Sequence, residues 1–108
     1  MSGSDLFTGT LELLVLRTLT GGPLHGYAIG KQIREGSEGV LDVEEGALYP
    51  ALHRLDRKGL LRSAWGRTDT GRRAKFYRLT EAGAGQLDAE ARRWTEYSDA
   101  VRSVLARG

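Results

Sequence analysis

The spacing of apolar residues changes twice along this 108-residue chain, and these changes limit the folds open to it. Up to about Gly59 the apolar residues recur three and four positions apart, as on one face of a helix. Two short runs between residues 60 and 80 alternate more like strands, with the turn "RTDTGR" between them, in which Gly71 can adopt a positive φ. Helical spacing returns after Thr80, which is the predicted N-cap of the last helix. The predicted order is three helices, a β-hairpin and a long last helix, which is that of a winged helix-turn-helix.

Three helices are predicted before the hairpin. The first spans about residues 10–19, with Thr8 or Thr10 as its N-cap and the Gly-Gly-Pro cluster at 21–23 as its end. It is apolar on most sides, which predicts a central core helix that can also face another subunit. The second spans about residues 26–35. The third lies within residues 44–61, where Pro50 should open or kink its start at a cost of about 3 kcal/mol in a free helix interior.

Basic residues are concentrated in the middle of the chain. Residues 45–80 contain nine Lys/Arg and three Asp/Glu, a net charge of +6, whereas the remainder has a net charge of −4. A separate basic surface is typical of nucleic-acid binders, although a solvated charged face also produces one. On the third helix the apolar residues fall in one arc, and His53, Arg54 and Arg57 point the other way.

The composition excludes several classes of function. Because the chain has no cysteine, it has no disulfide, thiolate metal site or cysteine nucleophile. With only two histidines we predict no metal site, and we expect no cofactor. We find no nucleophile elbow, phosphate loop or paired catalytic carboxylates, so we predict that the protein is not an enzyme. The sequence shows neither a signal peptide nor a membrane-length apolar run, which predicts a cytoplasmic protein without membrane contact.

Four short segments and one tryptophan, taken in order, resemble one known family. They are "GTLELLVL" in the first helix, "GPLHGYAI" at the second, "LYPALHRL" in the third, "RRAKFYRLT" in the hairpin, and Trp94 in the last helix. Together they are similar to PadR-family transcriptional regulators of the short form with a single C-terminal helix, over about residues 8–105. The resemblance implies a homodimeric winged helix-turn-helix repressor of a neighbouring operon. The resemblance also implies an effector pocket at the dimer interface, a feature of some members of the family.

The fold class expected is mainly α with a small β-hairpin. Residues 1–80 should form a winged helix-turn-helix DNA-binding domain, and residues 81–108 a dimerisation helix, within one compact unit. The predicted function is that of a repressor that binds a palindromic operator in double-stranded DNA and is released by a small-molecule effector. The alternative is a winged-helix module that binds protein without sequence-specific DNA binding.

Seven residues are predicted to lie on the DNA surface. We expect Arg54 to reach base edges, whereas Tyr49 and His53 either contact DNA or pack within the fold. The basic tip of the hairpin should meet the phosphate backbone or a minor groove. The predicted DNA-binding residues are Tyr49, His53, Arg54, Arg57, Arg72, Arg73 and Lys75.

The last helix carries an apolar stripe that one small domain cannot cover. The stripe predicts a homodimer and comprises Leu87, Ala91, Trp94, Val101 and Leu105. Trp94 either packs in a closed interface or borders a pocket, together with Ala91 and Tyr97, for a planar or amphipathic small molecule. We expect Trp65 and His25 to be packing residues, with His25 also a candidate helix cap.

Overall fold

Helices and a small antiparallel sheet share one core in the computed structural model, which describes residues 3–107 and the side chains from residue 9 onward. The predicted fold class, mainly α with a winged hairpin and a long last helix, is confirmed. A single 3₁₀ turn, Leu19–Gly21, follows the first helix. The elements are α1 (Gly3–Thr18), β1 (Leu24–His25), α2 (Gly26–Gly36), α3 (Glu45–Arg57), β2 (Leu61–Arg67), β3 (Arg73–Leu79) and α4 (Glu81–Ala106).

Helix α1 begins earlier than the sequence predicts. Its backbone is helical from Gly3, so Thr8 and Thr10 lie inside the helix and the prediction of either as N-cap is wrong. The reason is visible in the sequence: Phe7, Leu11 and Val15 continue the helical spacing back beyond residue 10. The side chain of Thr8 lies outside the described part of the chain. The end of the helix agrees with the Gly-Gly-Pro cluster.

The sheet has the strand order β1-β3-β2, and both pairings are antiparallel. The hairpin of β2 and β3 with its turn, residues 61–79, is the wing. In its turn Gly71 has a φ of +84°, as expected, and the Thr68 N–H donates to the Arg72 carbonyl at 2.8 Å. Strand β1 was not anticipated, because two residues are too short to show a period. It pairs Leu24 with Tyr77 and adds a third strand next to β3.

The core lies between α1, α2, α3 and the inner face of the wing. Tyr77 is only 2% exposed, and Leu79 packs against the core from the same strand face. Alternation along β3 and helical spacing along α3 therefore direct their apolar residues to the same place. The buried core residues are Leu11, Val15, Leu16, Leu19, Ile29, Ile33, Leu48, Ala51, Leu52, Leu55, Leu61, Tyr77 and Leu87.

Helix α4 is attached to the domain at its first turn. Thr80 caps it as predicted, because its hydroxyl accepts from the Gly83 N–H at 3.0 Å and donates to the Gly59 carbonyl at 2.7 Å. The Thr80 N–H donates to the Leu60 carbonyl at 3.1 Å. Beyond Leu87 the helix leaves the core, and the molecule measures 54 Å along its longest axis but 28 and 24 Å along the others. Among residues 3–107, the structure has no helix with the length and apolarity needed to cross a bilayer.

Candidate nucleic-acid interface

Helix α3 presents one polar stripe to solvent. Its buried residues, Leu48, Ala51, Leu52 and Leu55, occupy the face that packs on the core. On the opposite side lies the outer stripe of α3, which consists of Tyr49, Pro50, His53 and Arg57, and all four residues are exposed. A helix that packs on the core through one face and is exposed to solvent on the other can enter a groove of DNA without disturbing the core.

Pro50 is accommodated within a continuous helix. The helix runs from Glu45 to Arg57 through the proline without a break, so the expected opening of its start is not seen. The carbonyl that loses its partner belongs to Gly46, one turn earlier. Because Gly46 is exposed, solvent can hydrate that carbonyl.

Tyr49 packs against the start of α2. A Cβ atom on Gly26 would lie 2.8 Å from the Tyr49 hydroxyl oxygen, so the ring in this position fills the space next to Gly26. The Tyr49 residue nevertheless remains 39% exposed. Part of the Tyr49 ring therefore packs within the fold, which was one of the two predicted roles. Contact with DNA through the exposed part stays a prediction. Just before α2, the His25 ring lies 5.3 Å from the Phe76 ring, which supports its packing role.

Arg54 faces α1, away from the outer stripe. Its Nε donates to Oε1 of Glu12 at 2.8 Å, and its side chain is one-third exposed. Lys58, one turn later, brings its Nζ to 3.9 Å from Oε2 of the same carboxylate. The structure thus does not bring Arg54 together with His53 and Arg57, as was expected from the sequence.

The wing exposes a basic tip. Arg67 donates to the Gly71 carbonyl at 2.9 Å across the turn, and Arg72 and Arg73 are exposed. The Arg73 guanidinium lies over the Trp65 ring, 4.3 Å from its centroid, in a cation–π contact. Trp65 is 61% exposed, so the expectation that it packs within the protein is wrong for most of its ring. Lys75, directly opposite Trp65 in the register, is half-buried.

A polar contact joins α3 to the wing. The Ser63 hydroxyl on β2 donates to Oδ2 of Asp56 on α3 at 3.1 Å. Tyr77 lies close by on β3, and burial raises the pKa of its phenol, an effect that the negative charges of Asp56 and of ionised Tyr49 increase. This contact helps to fix the orientation of the wing relative to α3.

The model of the PadR-like family of transcriptional regulators matches residues 15–89. The chain belongs to this family. Its members are transcriptional regulators rather than enzymes, and the PadR-like chain is accordingly a transcriptional regulator.

Solved structures of regulators resemble the PadR-like chain over nearly its whole length. A transcriptional regulator from Clostridium thermocellum is 27% identical, with a TM-score of 0.82 over 95% of this chain and 97% of that one. A PadR-family regulator from Eggerthella lenta is 34% identical, with a TM-score of 0.77 over 94% of this chain and 86% of that one. An uncharacterised protein of Lysinibacillus sphaericus is 27% identical over 94% of this chain and 93% of its own.

Two features of the PadR-like interface were not predicted from the sequence. Trp65 extends the strand face of Leu61 and Ser63 beyond the core, so alternation carried to the end of β2 could have identified its exposure. Glu12 is 42 residues from Arg54, and no local pattern signals that pairing.

The predicted effector residues lie on the projecting part of α4. The Trp94 and Tyr97 rings are 6.0 Å apart and tilted by 35°, both are exposed, and Ala91 is half-buried. A cavity of about 380 Å³ lies elsewhere, between α1, α3 and the start of α4. Trp94, Tyr97 and Ala91 do not line this cavity. Its lining residues are Gly9, Glu12, Leu13, Leu16, Leu55, Lys58, Leu60, Gln86 and Glu90. Within the described part of the chain, three or more potential metal-ligating side chains do not cluster anywhere.

Proposed function

We propose that the protein is a homodimeric repressor that places the outer stripe of α3 in the major groove of operator DNA and the wing on the adjacent backbone. The observation that carries the proposal is the outer stripe itself. One face of α3 is buried in the core. The exposed residues on the opposite face include Tyr49, His53 and Arg57.

In this proposal Arg57 takes the base-reading role that the sequence predicted for Arg54. Arg57 is exposed on the outer stripe, whereas the Arg54 guanidinium is engaged by Glu12. An arginine can donate two hydrogen bonds to O6 and N7 of a guanine, the commonest specific contact in the major groove. His53 and Tyr49 lie one and two turns earlier and contact a base edge or a phosphate.

The wing contributes affinity that depends little on sequence. Arg72 and Arg73 are exposed at the end of the hairpin, and Lys75 follows on the same strand. Cations of this kind displace the counterions condensed on DNA, which makes binding strong at low salt and weaker as salt rises. The contact between Ser63 and Asp56 supports a fixed angle between wing and α3.

The projecting half of α4 supports a homodimer through residues 81–108. Its Trp94 is 41% exposed, and Val104 and Leu105 are 70% and 75% exposed, in a single chain. A second copy of the same helix would remove this surface from water. A two-fold dimer presents two α3 helices, so its operator is palindromic, with half-sites about one helical turn apart or a multiple of that.

In this proposal the bound dimer represses transcription, and a small-molecule effector releases it from the operator. A dimer bound across a promoter blocks access to it, and an effector bound at the α4 interface would change the distance between the two α3 helices. The tilted pair of Trp94 and Tyr97, with small Ala91 one turn before, is compatible with an aromatic slot for a planar or amphipathic molecule. The alternative is a closed interface in which Trp94 is packed.

DNA binding separates the roles of α3 and the wing. Arg57→Ala should weaken operator binding by about 1–3 kcal/mol with a smaller effect on random DNA. Replacing Arg72 and Arg73 together should weaken both alike and lower the salt slope by about 1 for each phosphate that is no longer neutralised. The measurement is fluorescence anisotropy on a footprinted promoter fragment and on a random duplex, at several salt concentrations.

Arg92→Ala on α4 is the matched control, because it removes the same charge away from α3 and the wing. Equal effects of Arg57→Ala and Arg92→Ala on operator DNA would contradict the assignment of α3 as the reading helix. A wild-type protein that binds neither duplex, even at low salt, would favour the protein-interaction alternative.

A further inference from the structure

Glu12 faces two basic residues, Arg54 within α3 and Lys58 directly after it, on the side of α3 that packs on α1. Each of its carboxylate oxygens faces one cation: Oε1 accepts from Arg54 at 2.8 Å, and Oε2 lies 3.9 Å from Lys58. The Glu12 side chain is only 21% exposed, and that of Arg54 is 33% exposed. The pair therefore lies in a partly desolvated position, where charges attract each other more strongly than at the open surface.

The spacing along α3 separates these cations from the outer stripe. Arg54 and Lys58 are four residues apart and so lie above one another on the side facing α1. Arg57 lies between them in sequence but is directed to solvent with His53. A phosphate that approaches Arg54 or Lys58 must compete with a carboxylate already in place.

We propose that Glu12 is a specificity-determining positioning residue, which retains Arg54 and Lys58 on α1 and so withholds their charges from DNA phosphates. The inference rests on the proposed DNA-binding function. Phosphate contacts strengthen binding to every sequence, whereas base contacts distinguish sequences. By keeping two cations away from the phosphates, Glu12 limits binding to random DNA and leaves discrimination to the outer stripe.

The surroundings of Glu12 permit the cations to move once they are released. Glu12 and Lys58 both line the cavity of about 380 Å³ between α1, α3 and α4. Lys58 is itself 59% exposed, and it follows the last residue of α3 at the surface. Long side chains in such a place can turn towards a nearby phosphate without repacking the core.

Glu12→Gln tests the inference because it keeps the shape of the side chain and removes its charge. We expect the variant to bind a random duplex more tightly than wild type, with a salt slope steeper by about 1–2. Between about 50 and about 200 mM salt, the ratio of variant to wild-type affinity should then fall about threefold for each additional phosphate that is neutralised. The preference for operator over random DNA should decrease.

Two further variants make the test specific. Glu96→Gln on α4 changes the net charge equally and should leave the salt slope at the wild-type value. Glu12→Gln combined with Arg54→Gln and Lys58→Gln should return the slope to the wild-type value, since the released cations are gone. Thermal melting of each variant checks that it is folded.

Several outcomes would overturn the inference. If Glu12→Gln binds all DNA less tightly with an unchanged salt slope, the role of Glu12 is only to stabilise the position of α3. If Glu12→Gln does not fold, Arg54→Gln with Lys58→Gln decides: a slope lower by about 2 would mean that both cations already contact phosphate. These results leave the proposed function intact when Arg57→Ala still loses operator binding. Failure of wild type to bind any DNA would refute both.

Discussion

Gly83 in the first turn of α4 is a position where adding one methyl group should destabilise the protein. A Cβ atom there would overlap the Leu60 carbonyl oxygen and lie 2.7 Å from Cδ1 of Leu79. The Leu79 side chain can turn away, but the Leu60 carbonyl accepts the Thr80 N–H at 3.1 Å and cannot move without losing that bond. Gly83→Ala therefore forces α4 away from the junction between α3 and β2.

Two opposing effects determine the size of the change. Alanine in place of glycine favours a helix by about 0.5–1 kcal/mol. Overpacking a close contact costs about 1–3 kcal/mol, and the upper part of that range applies where the obstructing atom belongs to the backbone. The expected net loss is about 1–2 kcal/mol, which corresponds to a melting temperature lower by about 5–15 °C in a domain of this size.

Gly85→Ala is the matched control on the same helix. A Cβ at Gly85 meets nothing within 4 Å, so this variant should gain the helix-propensity term and melt a few degrees higher. Both variants are compared with wild type by urea and thermal denaturation at one protein concentration, because dimerisation contributes to the apparent stability. A Gly83→Ala protein as stable as Gly85→Ala would refute the close packing of α4 on Leu60.

The remaining predictions concern pH, the wing and assembly. Burial raises the pKa of Tyr77, so the folded protein keeps its phenol protonated where the unfolded chain ionises; stability should fall as pH rises above about 10, and Tyr77→Phe should flatten that fall in urea titrations. Trp65→Leu removes the ring under Arg73 without changing charge, so DNA affinity should drop by about 0.5–1 kcal/mol with an unchanged salt slope. Trp65→Phe should recover part of the lost affinity. A lower salt slope for Trp65→Leu would contradict the view that Trp65 only orients Arg73. Light scattering at micromolar concentration should give twice the chain mass of 11.8 kDa, and a monomer mass would refute the proposed dimer.

The sequence predicts the elements of this protein best where a local signal and a long repeat agree. Thr80 is a helix cap followed by helical spacing, and Gly71 lies in a polar turn between two strands; both predictions are confirmed. The start of α1 was missed because Thr8 and Thr10 resemble caps, whereas the apolar spacing through Phe7 continues the helix. Strand β1 forms only because β3 offers it a partner, a condition that two residues cannot express.

The candidate site was predictable in composition more than in geometry. Helical periodicity placed His53 and Arg57 away from the core, and the structure agrees. The same periodicity places Arg54 with them, yet the Arg54 side chain pairs with Glu12 on α1. An ion pair between distant segments depends on how two helices are packed, and periodicity within one helix carries no information about it. DNA contact by these residues stays a prediction.

The hydrogen bonds of Thr80 to the Gly59 and Leu60 carbonyls fix the rotation of α4 about its own axis relative to α3 and the wing. One residue inserted after Leu87 would turn the rest of the helix by about 100° and advance it by about 1.5 Å, while the cap and the wing stay as they are. In the proposed dimer that rotation passes directly to the partner's α3. Insertions of one or two residues should then abolish binding to the native operator. An insertion of seven residues, close to two full turns, should restore the angular phase with wider spacing between half-sites. Operator spacing would thus be encoded in helix length, separately from the residues that read bases.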